Sequence, residues 1–167
     1  MNLFFRLSRG LSQLALTIAV LALIVVTAVV GWQVFGRYVL NDTPVWAERV
    51  ALLLMIYLCL LGAAVAVRDA GHLGMEFMLT KLSESSKRRL AYFIHWLTLA
   101  FGIAMAWYGA ELAAIVRTHA IPTLGISEAW TYVPLAVSGV LIVLFCIEHI
   151  ACFHSGADVT PTFALSE

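Results

Sequence analysis

The stretch that decides the fold is residues 37–78, RYVLNDTPVWAERVALLLMIYLCLLGAAVAVRDAGHLGMEFM. Its middle, residues 50–67, contains no charged residue. A helix of that length rises about 27 Å, which nearly crosses the ~30 Å hydrocarbon core of a bilayer. Trp46 precedes the run, where interfacial aromatic residues belong, and Arg68 and Asp69 end it. We therefore predict a membrane-spanning helix here.

The composition extends this prediction to the whole chain. Of its 167 residues, 62% are hydrophobic and 12% are charged, against roughly 45–50% and about 25% in soluble domains. The net charge of zero provides no basic surface for nucleic acid, and the lipid bilayer is the expected environment. We predict an all-α integral membrane protein with four transmembrane helices. The single membrane domain covers residues 1–152, with spans at about 12–36, 45–67, 89–116 and 128–151 and a flexible tail at 153–167.

The segment after the second span is amphipathic. Met75, Met78, Leu79 and Leu82 recur at the spacing of one helix face, and polar residues lie between them. The segment is too short and too polar to cross a bilayer. We expect a separate interfacial helix at about 74–82, lying along the membrane surface.

The distribution of Lys and Arg predicts the orientation. With four spans, both tails and the middle loop share one side of the membrane. That side holds Arg6, Arg9, Arg68, Lys81, Lys87, Arg88 and Arg89, and the opposite side holds Arg37, Arg49 and Arg117. The positive-inside rule then places both termini in the cytoplasm.

Two charges lie inside predicted spans at similar depth from the outer face. Arg49 is in span two and Glu111 is in span three. An intramembrane charge costs a few kcal/mol unless it is compensated. Three arrangements remain open: a mutual ion pair, contact of each charge with a partner chain, or side chains that extend to the headgroups.

Two histidines suggest an alternative function. His95 and His149 are at similar depth near the inner ends of spans three and four, so they could together ligate a haem iron. This hypothesis makes the chain a four-helix membrane cytochrome b-like subunit. A small autonomous exporter is a third hypothesis, which the absence of a charged residue near the middle of any span disfavours. We find no catalytic motif and no metal-ligand pattern, and we predict neither an enzyme nor a bound cofactor.

Several short motifs occur in an order that resembles a known family. They are Arg37-Tyr38-Val39-Leu40, Trp46-Ala47-Glu48, Gly62-Ala63-Ala64, Gly71-His72-Leu73, and Leu124-Gly125-Ile126 followed by Trp130, Tyr132 and Pro134. The chain resembles the small membrane subunit of tripartite ATP-independent periplasmic (TRAP) transporters, the DctQ type, over about residues 12–150. It departs from the family pattern at Arg49, where a second acid is usual, and at Ser127, where a proline is usual.

The resemblance implies partners rather than a reaction. Such systems combine a periplasmic substrate-binding protein, a large membrane subunit with the substrate and sodium sites, and a small subunit that supports the large one. It implies a bacterial or archaeal inner-membrane protein that serves sodium-coupled uptake of a small organic acid.

The residues expected to serve this role fall into three groups. Partner-interface or structural ion-pair residues are Arg37, Trp46, Glu48, Arg49, Glu111 and Arg117. Periplasmic docking loops hold Asn41, Asp42, Thr123, Ser127 and Glu128. A motif on the cytoplasmic side consists of Arg68, Asp69, Gly71 and His72.

Overall fold

The computed structural model describes residues 2–42, 44–79 and 84–155, with side chains for 6–42, 44–69, 89–90 and 92–151. The described chain forms four long helices: α1 Asn2–Phe35, α2 Val45–Leu79, α3 Glu84–Ile115 and α4 Ala129–Ser155. Four helical stretches of the described chain are long and apolar enough to cross a membrane: Arg6–Leu40, which runs from α1 into the turn that follows it, Val45–Asp69, Tyr92–Ile115 and Ala129–Ala151. The prediction of an all-α protein with four membrane spans is confirmed.

The helices run alternately up and down. We call the end that holds residues 36–44 and 116–128 the loop end, and the opposite end, with Ser8, Arg68 and Glu148, the tail end. α1 packs on α2, α2 packs on α4, and α3 packs extensively against α4 alone among the described elements. In an apolar 18-residue stretch of the α4 span half of the residues are buried, compared with 11% in such a stretch of the α3 span. α4 is therefore the central helix, and α3 presents most of its surface outward.

A tight turn joins α1 to α2 at the loop end. α1 continues into a π-helical turn, Gly36–Leu40, and Asn41 adopts a left-handed conformation with φ of 53°. The backbone N–H of Asp42 donates to the carbonyl of Gly36 at 3.1 Å. A Cβ on Gly36 would lie 2.9 Å from the carbonyl oxygen of Asp42, so the turn needs glycine here.

The connection between α3 and α4 is a small hairpin. The N–H of Ile121 donates to the carbonyl of Ile126 at 2.8 Å, and the N–H of Glu128 donates to the carbonyl of His119 at 2.8 Å. Ser127 Oγ accepts a bond from the N–H of Ala129 at 3.2 Å and donates to the carbonyl of Arg117 at 2.8 Å. Ser127 therefore caps the start of α4, as its residue type predicts.

Small residues set the close packing of α3 on α4. A Cβ on Gly109 would lie 2.6 Å from the backbone nitrogen of Ala136, and one on Gly139 would collide with the backbone of Ala106. Small residues at such crossings are typical of membrane helices, because association there depends on close packing rather than on the hydrophobic effect.

The structure differs from the sequence prediction after span two. α2 continues without interruption from Val45 to Leu79, so the helix does not end before residue 74 as expected. Residues 74–79 extend α2 rather than starting a separate helix, because the stretch 68–72 contains no proline and its one glycine costs only about 1 kcal/mol in a helix. Residues 80–82 of the predicted interfacial helix lie outside the described residues. Contact of this extension with the membrane surface stays a prediction.

Candidate functional site: a buried polar cluster and an exposed loop end

A buried ion pair lies at the tail end between α2 and α4. Arg68 Nε donates to Glu148 Oε2 at 3.1 Å, and Arg68 Nη2 donates to Glu148 Oε1 at 3.2 Å. Both side chains are 1% exposed. This two-bond geometry satisfies the planar guanidinium and both carboxylate oxygens at once. Two long side chains are thereby held in one arrangement.

Neighbouring groups extend the pair into a polar cluster. Ser8 of α1 donates its hydroxyl to Glu148 Oε2. The Phe145 ring packs beside the guanidinium, 5.8 Å from its carbon to the ring centroid. Asp69 Oδ1 lies 3.9 Å from Arg68 Nη1. We call Ser8, Arg68, Asp69, Glu148 and His149 the tail-end cluster.

His149 connects the tail-end cluster to α3. Its Nε2 lies 2.9 Å from the backbone carbonyl of Arg68. A carbonyl only accepts, so Nε2 carries the proton. The His149 ring also meets the ring of His95 edge to face, with centroids 5.6 Å apart. The cluster therefore touches all four helices, and it fixes their relative positions at one end of the bundle.

The histidine contact bears on the haem hypothesis. The structure brings His95 and His149 together, as that hypothesis requires. A bis-histidine iron site needs a ring nitrogen from each histidine aimed at a metal between the two rings. His149 Nε2 donates to the Arg68 carbonyl instead, and the two rings touch edge to face rather than facing a common centre. This geometry does not support haem ligation by the pair.

A second polar contact joins α2 and α4 nearer the loop end. Pro134 lies inside α4, so it cannot donate a backbone bond to the carbonyl of Trp130. The hydroxyl of Tyr57 donates to that carbonyl at 3.1 Å. A side chain of α2 thus satisfies the group that proline leaves free in α4. The position of the proline within the span can be read from the sequence, whereas its tyrosine partner on another helix cannot.

The charged residues of the loop end are arranged differently. Arg37, Glu48, Arg49, Glu111 and Arg117 all have exposed side chains. Within the described part of the chain, no ion pair is found that joins two of these five residues. Trp46, which is 44% exposed, lies in the first turn of α2 with Glu48. These side chains are available to lipid headgroups or to a partner.

Arg49 and Glu111 are not brought together. They lie on α2 and α3, and α3 packs extensively on α4 only. Both side chains are exposed. The mutual ion pair considered from the sequence is therefore not formed within this chain. The two other possibilities, a partner contact and extension to the headgroups, stay open.

The predicted docking residues lie in the two connections of the loop end. Asn41, Asp42 and Thr123 are exposed, whereas Ser127 and Glu128 are half-buried by the hairpin. Of the predicted motif on the opposite side, Arg68 and Asp69 belong to the tail-end cluster. Gly71 and His72 lie within α2, and the structure does not describe the side chain of His72.

Sequence reasoning missed Ser8 and Glu148 as partners of Arg68. Glu148 is the one acidic residue in the α4 span, and Arg68 is a cation at the same end of a neighbouring span. Two opposite charges at matched depth on spans that end on the same side could have indicated the pair. Ser8 carries no comparable signal, since serines in spans commonly bond to their own helix.

The fold and the charge distribution define a class of protein. It is a small four-span membrane protein whose charged residues in the spans all lie near the span ends, with one end stabilised internally and the other left exposed. Comparison with protein families identifies which membrane proteins of this class the chain is related to. A model described as "Tripartite ATP-independent periplasmic transporters, DctQ component" matches residues 26–154. The chain belongs to this family of small membrane subunits of TRAP transporters, which are transporter components rather than enzymes.

Individual relatives agree with the family match. The chain is 34% identical to the sialic acid TRAP transporter small permease protein SiaQ of Vibrio cholerae, over 74% of this chain and 71% of the relative. It is 21% identical to a putative TRAP transporter small permease protein of Haemophilus influenzae, over 85% and 88%. A third relative, the sialic acid TRAP transporter permease protein SiaT of Haemophilus influenzae, is 25% identical over 77% of this chain. That match spans only 21% of SiaT.

Proposed function

We propose that this chain is the rigid scaffold partner of the large membrane subunit of a TRAP transporter, with its tail end in the cytoplasm. In this role it helps dock the periplasmic binding protein during sodium-coupled uptake of a small organic acid. One observation carries the proposal. In the described spans, every Asp, Glu, Lys and Arg lies near a span end. The middle of each described span therefore holds no charged group that could bind a coupling ion.

The tail-end cluster supports a scaffold role. A charge pair with both side chains 1% exposed is costly to break, because separation leaves a charge unpaired in a low-dielectric layer. The cluster contacts α1, α2 and α4 directly and α3 through His95. Helices held together by these noncovalent contacts suit a subunit that stays rigid while a partner moves.

The relatives support the partner and the substrate class. The match to SiaT covers a small part of a longer permease, so a segment like this chain belongs to a larger permease chain in that system. Two of the relatives are named for sialic acid, which is an organic acid. We extend the class to this chain, and not the particular substrate.

The test is uptake into proteoliposomes. We expect that this chain alone moves no labelled sialic acid or other small carboxylate. Uptake should require the large subunit, the binding protein and an inward sodium gradient together. Sodium-dependent uptake by this chain alone would overturn the proposal.

Docking is tested at the loop end in the same assay. Asp42→Lys and Glu128→Lys reverse charges in the proposed docking loops. Rim charges mainly change association rates, so uptake should fall when binding protein is limiting and recover when it is in excess. Equal loss at both concentrations would place these residues outside the docking surface.

A further inference from the structure

An open groove runs between α3 and α4 on the outer surface of the bundle. Its volume is about 730 Å³, and its lining includes Ile103, Ala106, Ala110, Glu111, Val140 and Val143. Ala106 and Ala110 are the small residues of its lining, and Gly109 and Gly139 bring the two helices into close contact. Glu111 is the one charged residue of the lining, and the others are aliphatic apart from Trp107.

Glu111 is the single charged residue in the span Tyr92–Ile115. Its side chain is exposed, and within the described chain no salt bridge or side-chain hydrogen bond is found for it. It lies one helical turn before the end of α3, at Ile115. A carboxylate at that depth is costly unless a cation or a donor meets it.

The rest of α3 also indicates that protein covers this face. The α3 span has the lowest mean hydropathy of the four, yet it is the least buried, with 11% of an apolar 18-residue stretch covered. Trp107 and Tyr108 are 71% and 62% exposed. A helix of low hydropathy is the least suited of the four to face lipid alone, so the isolated chain lacks a neighbour here.

We propose that this groove receives a helix of the large membrane subunit, and that the helix carries an Arg or Lys that pairs with Glu111. The proposal rests on the proposed function and specifies its interface. Ala106 and Ala110 are four residues apart on α3, a spacing that allows a membrane helix to approach closely. The carboxylate at the rim selects a basic partner and fixes its depth.

The experiment has two arms, both with the tagged full-length chain and the large subunit encoded with it. In the first arm, a photo-crosslinking amino acid replaces Ala110 or Val140. Ile24, which is 59% exposed on α1, is the matched control position. We expect crosslinks to the large subunit from Ala110 and Val140 and none from Ile24.

The second arm measures how much large subunit co-purifies with each variant. Glu111→Lys opposes the partner's cation and should lower recovery about tenfold, the effect of a 1.4 kcal/mol loss. Ala110→Trp fills the groove and should also lower recovery. Glu111→Asp keeps the charge and should retain recovery, as should the control Ile24→Trp.

The outcomes separate this inference from the proposed function. If the unmodified chain recovers no large subunit, both fail. If the complex forms but Ala110 crosslinks only to phospholipid, the groove is a lipid site and the inference alone is overturned. Crosslinks from Ile24 instead of Ala110 would place the interface on α1 and overturn it as well. Normal recovery with Glu111→Lys would exclude the charge pairing.

Discussion

At the scale of single residues, the Arg68–Glu148 pair is the contact whose loss should cost most. Removing either partner leaves an uncompensated buried charge, at about 3–5 kcal/mol. Arg68→Met and Glu148→Gln should each strongly reduce the yield of folded protein in detergent. The double variant should lose less than the sum of the two single losses, because it leaves no lone charge.

Arg49 and Glu111 provide a matched control for that cycle. They are also an arginine and a glutamate on two helices, but their side chains are exposed and do not meet. In the isolated chain, Arg49→Met and Glu111→Gln should have small and additive effects on yield. Strong coupling between them, or additivity between Arg68 and Glu148, would contradict the structure.

The bond from Tyr57 to Trp130 makes a second prediction at this scale. Tyr57→Phe leaves the Trp130 carbonyl unsatisfied, and interhelical hydrogen bonds in membranes are worth about 1 kcal/mol. In a Pro134→Ala background the backbone N–H of residue 134 can donate a hydrogen bond to the Trp130 carbonyl. Tyr57→Phe should therefore destabilise that variant much less. Thermal melting followed by tryptophan fluorescence measures both. An equal loss in the two backgrounds would show that the bond does not depend on the proline.

At the scale of helices, the α3–α4 crossing depends on Gly139. A methyl group there meets the backbone of Ala106, and overpacking of this kind costs about 1–3 kcal/mol. Gly139→Ala should therefore lower the melting temperature. Gly31 on α1 has nothing within 4 Å of an added Cβ, so Gly31→Ala should be neutral or stabilise by up to about 1 kcal/mol. The same response at both glycines would argue against the close crossing.

The sequence predicted the helices better than their arrangement. Long apolar runs bounded by charges indicated all four spans, since the bilayer imposes a minimum length. The order of packing was not predictable in this way, because it depends on which small residues face one another. Arg49 and Glu111 had matched depth and opposite charge, yet they do not meet, because among the described elements α3 packs extensively against α4 and not against α2. Depth is readable from the sequence, whereas the direction of a side chain around its helix is not.

The end of α2 shows a different limit. Arg68 and Asp69 end the apolar run and a separate helix was expected from about residue 74, but α2 continues to Leu79. Charges end a membrane span without ending a helix, because backbone hydrogen bonds continue into the aqueous layer. The Arg68 side chain turns inward to Glu148, which places a charged residue in the packed interior.

At the scale of the whole molecule, the orientation is the simplest prediction to test. On a background without the native cysteines, Asp42→Cys and Thr123→Cys place thiols in exposed positions at the loop end. An impermeant maleimide added outside intact cells should label both, since the distribution of Lys and Arg places the tail end inside. Labelling only after the membrane is permeabilised would show that the loop end faces the cytoplasm, opposite to the predicted orientation.

The central claim is that this chain works as one part of a larger membrane complex. The most direct test is to purify the tagged full-length chain from native membranes in mild detergent and identify what co-purifies. We predict the large TRAP membrane subunit, in fixed proportion to this chain. Recovery of this chain by itself, while the large subunit is present in the same membranes, would contradict the claim.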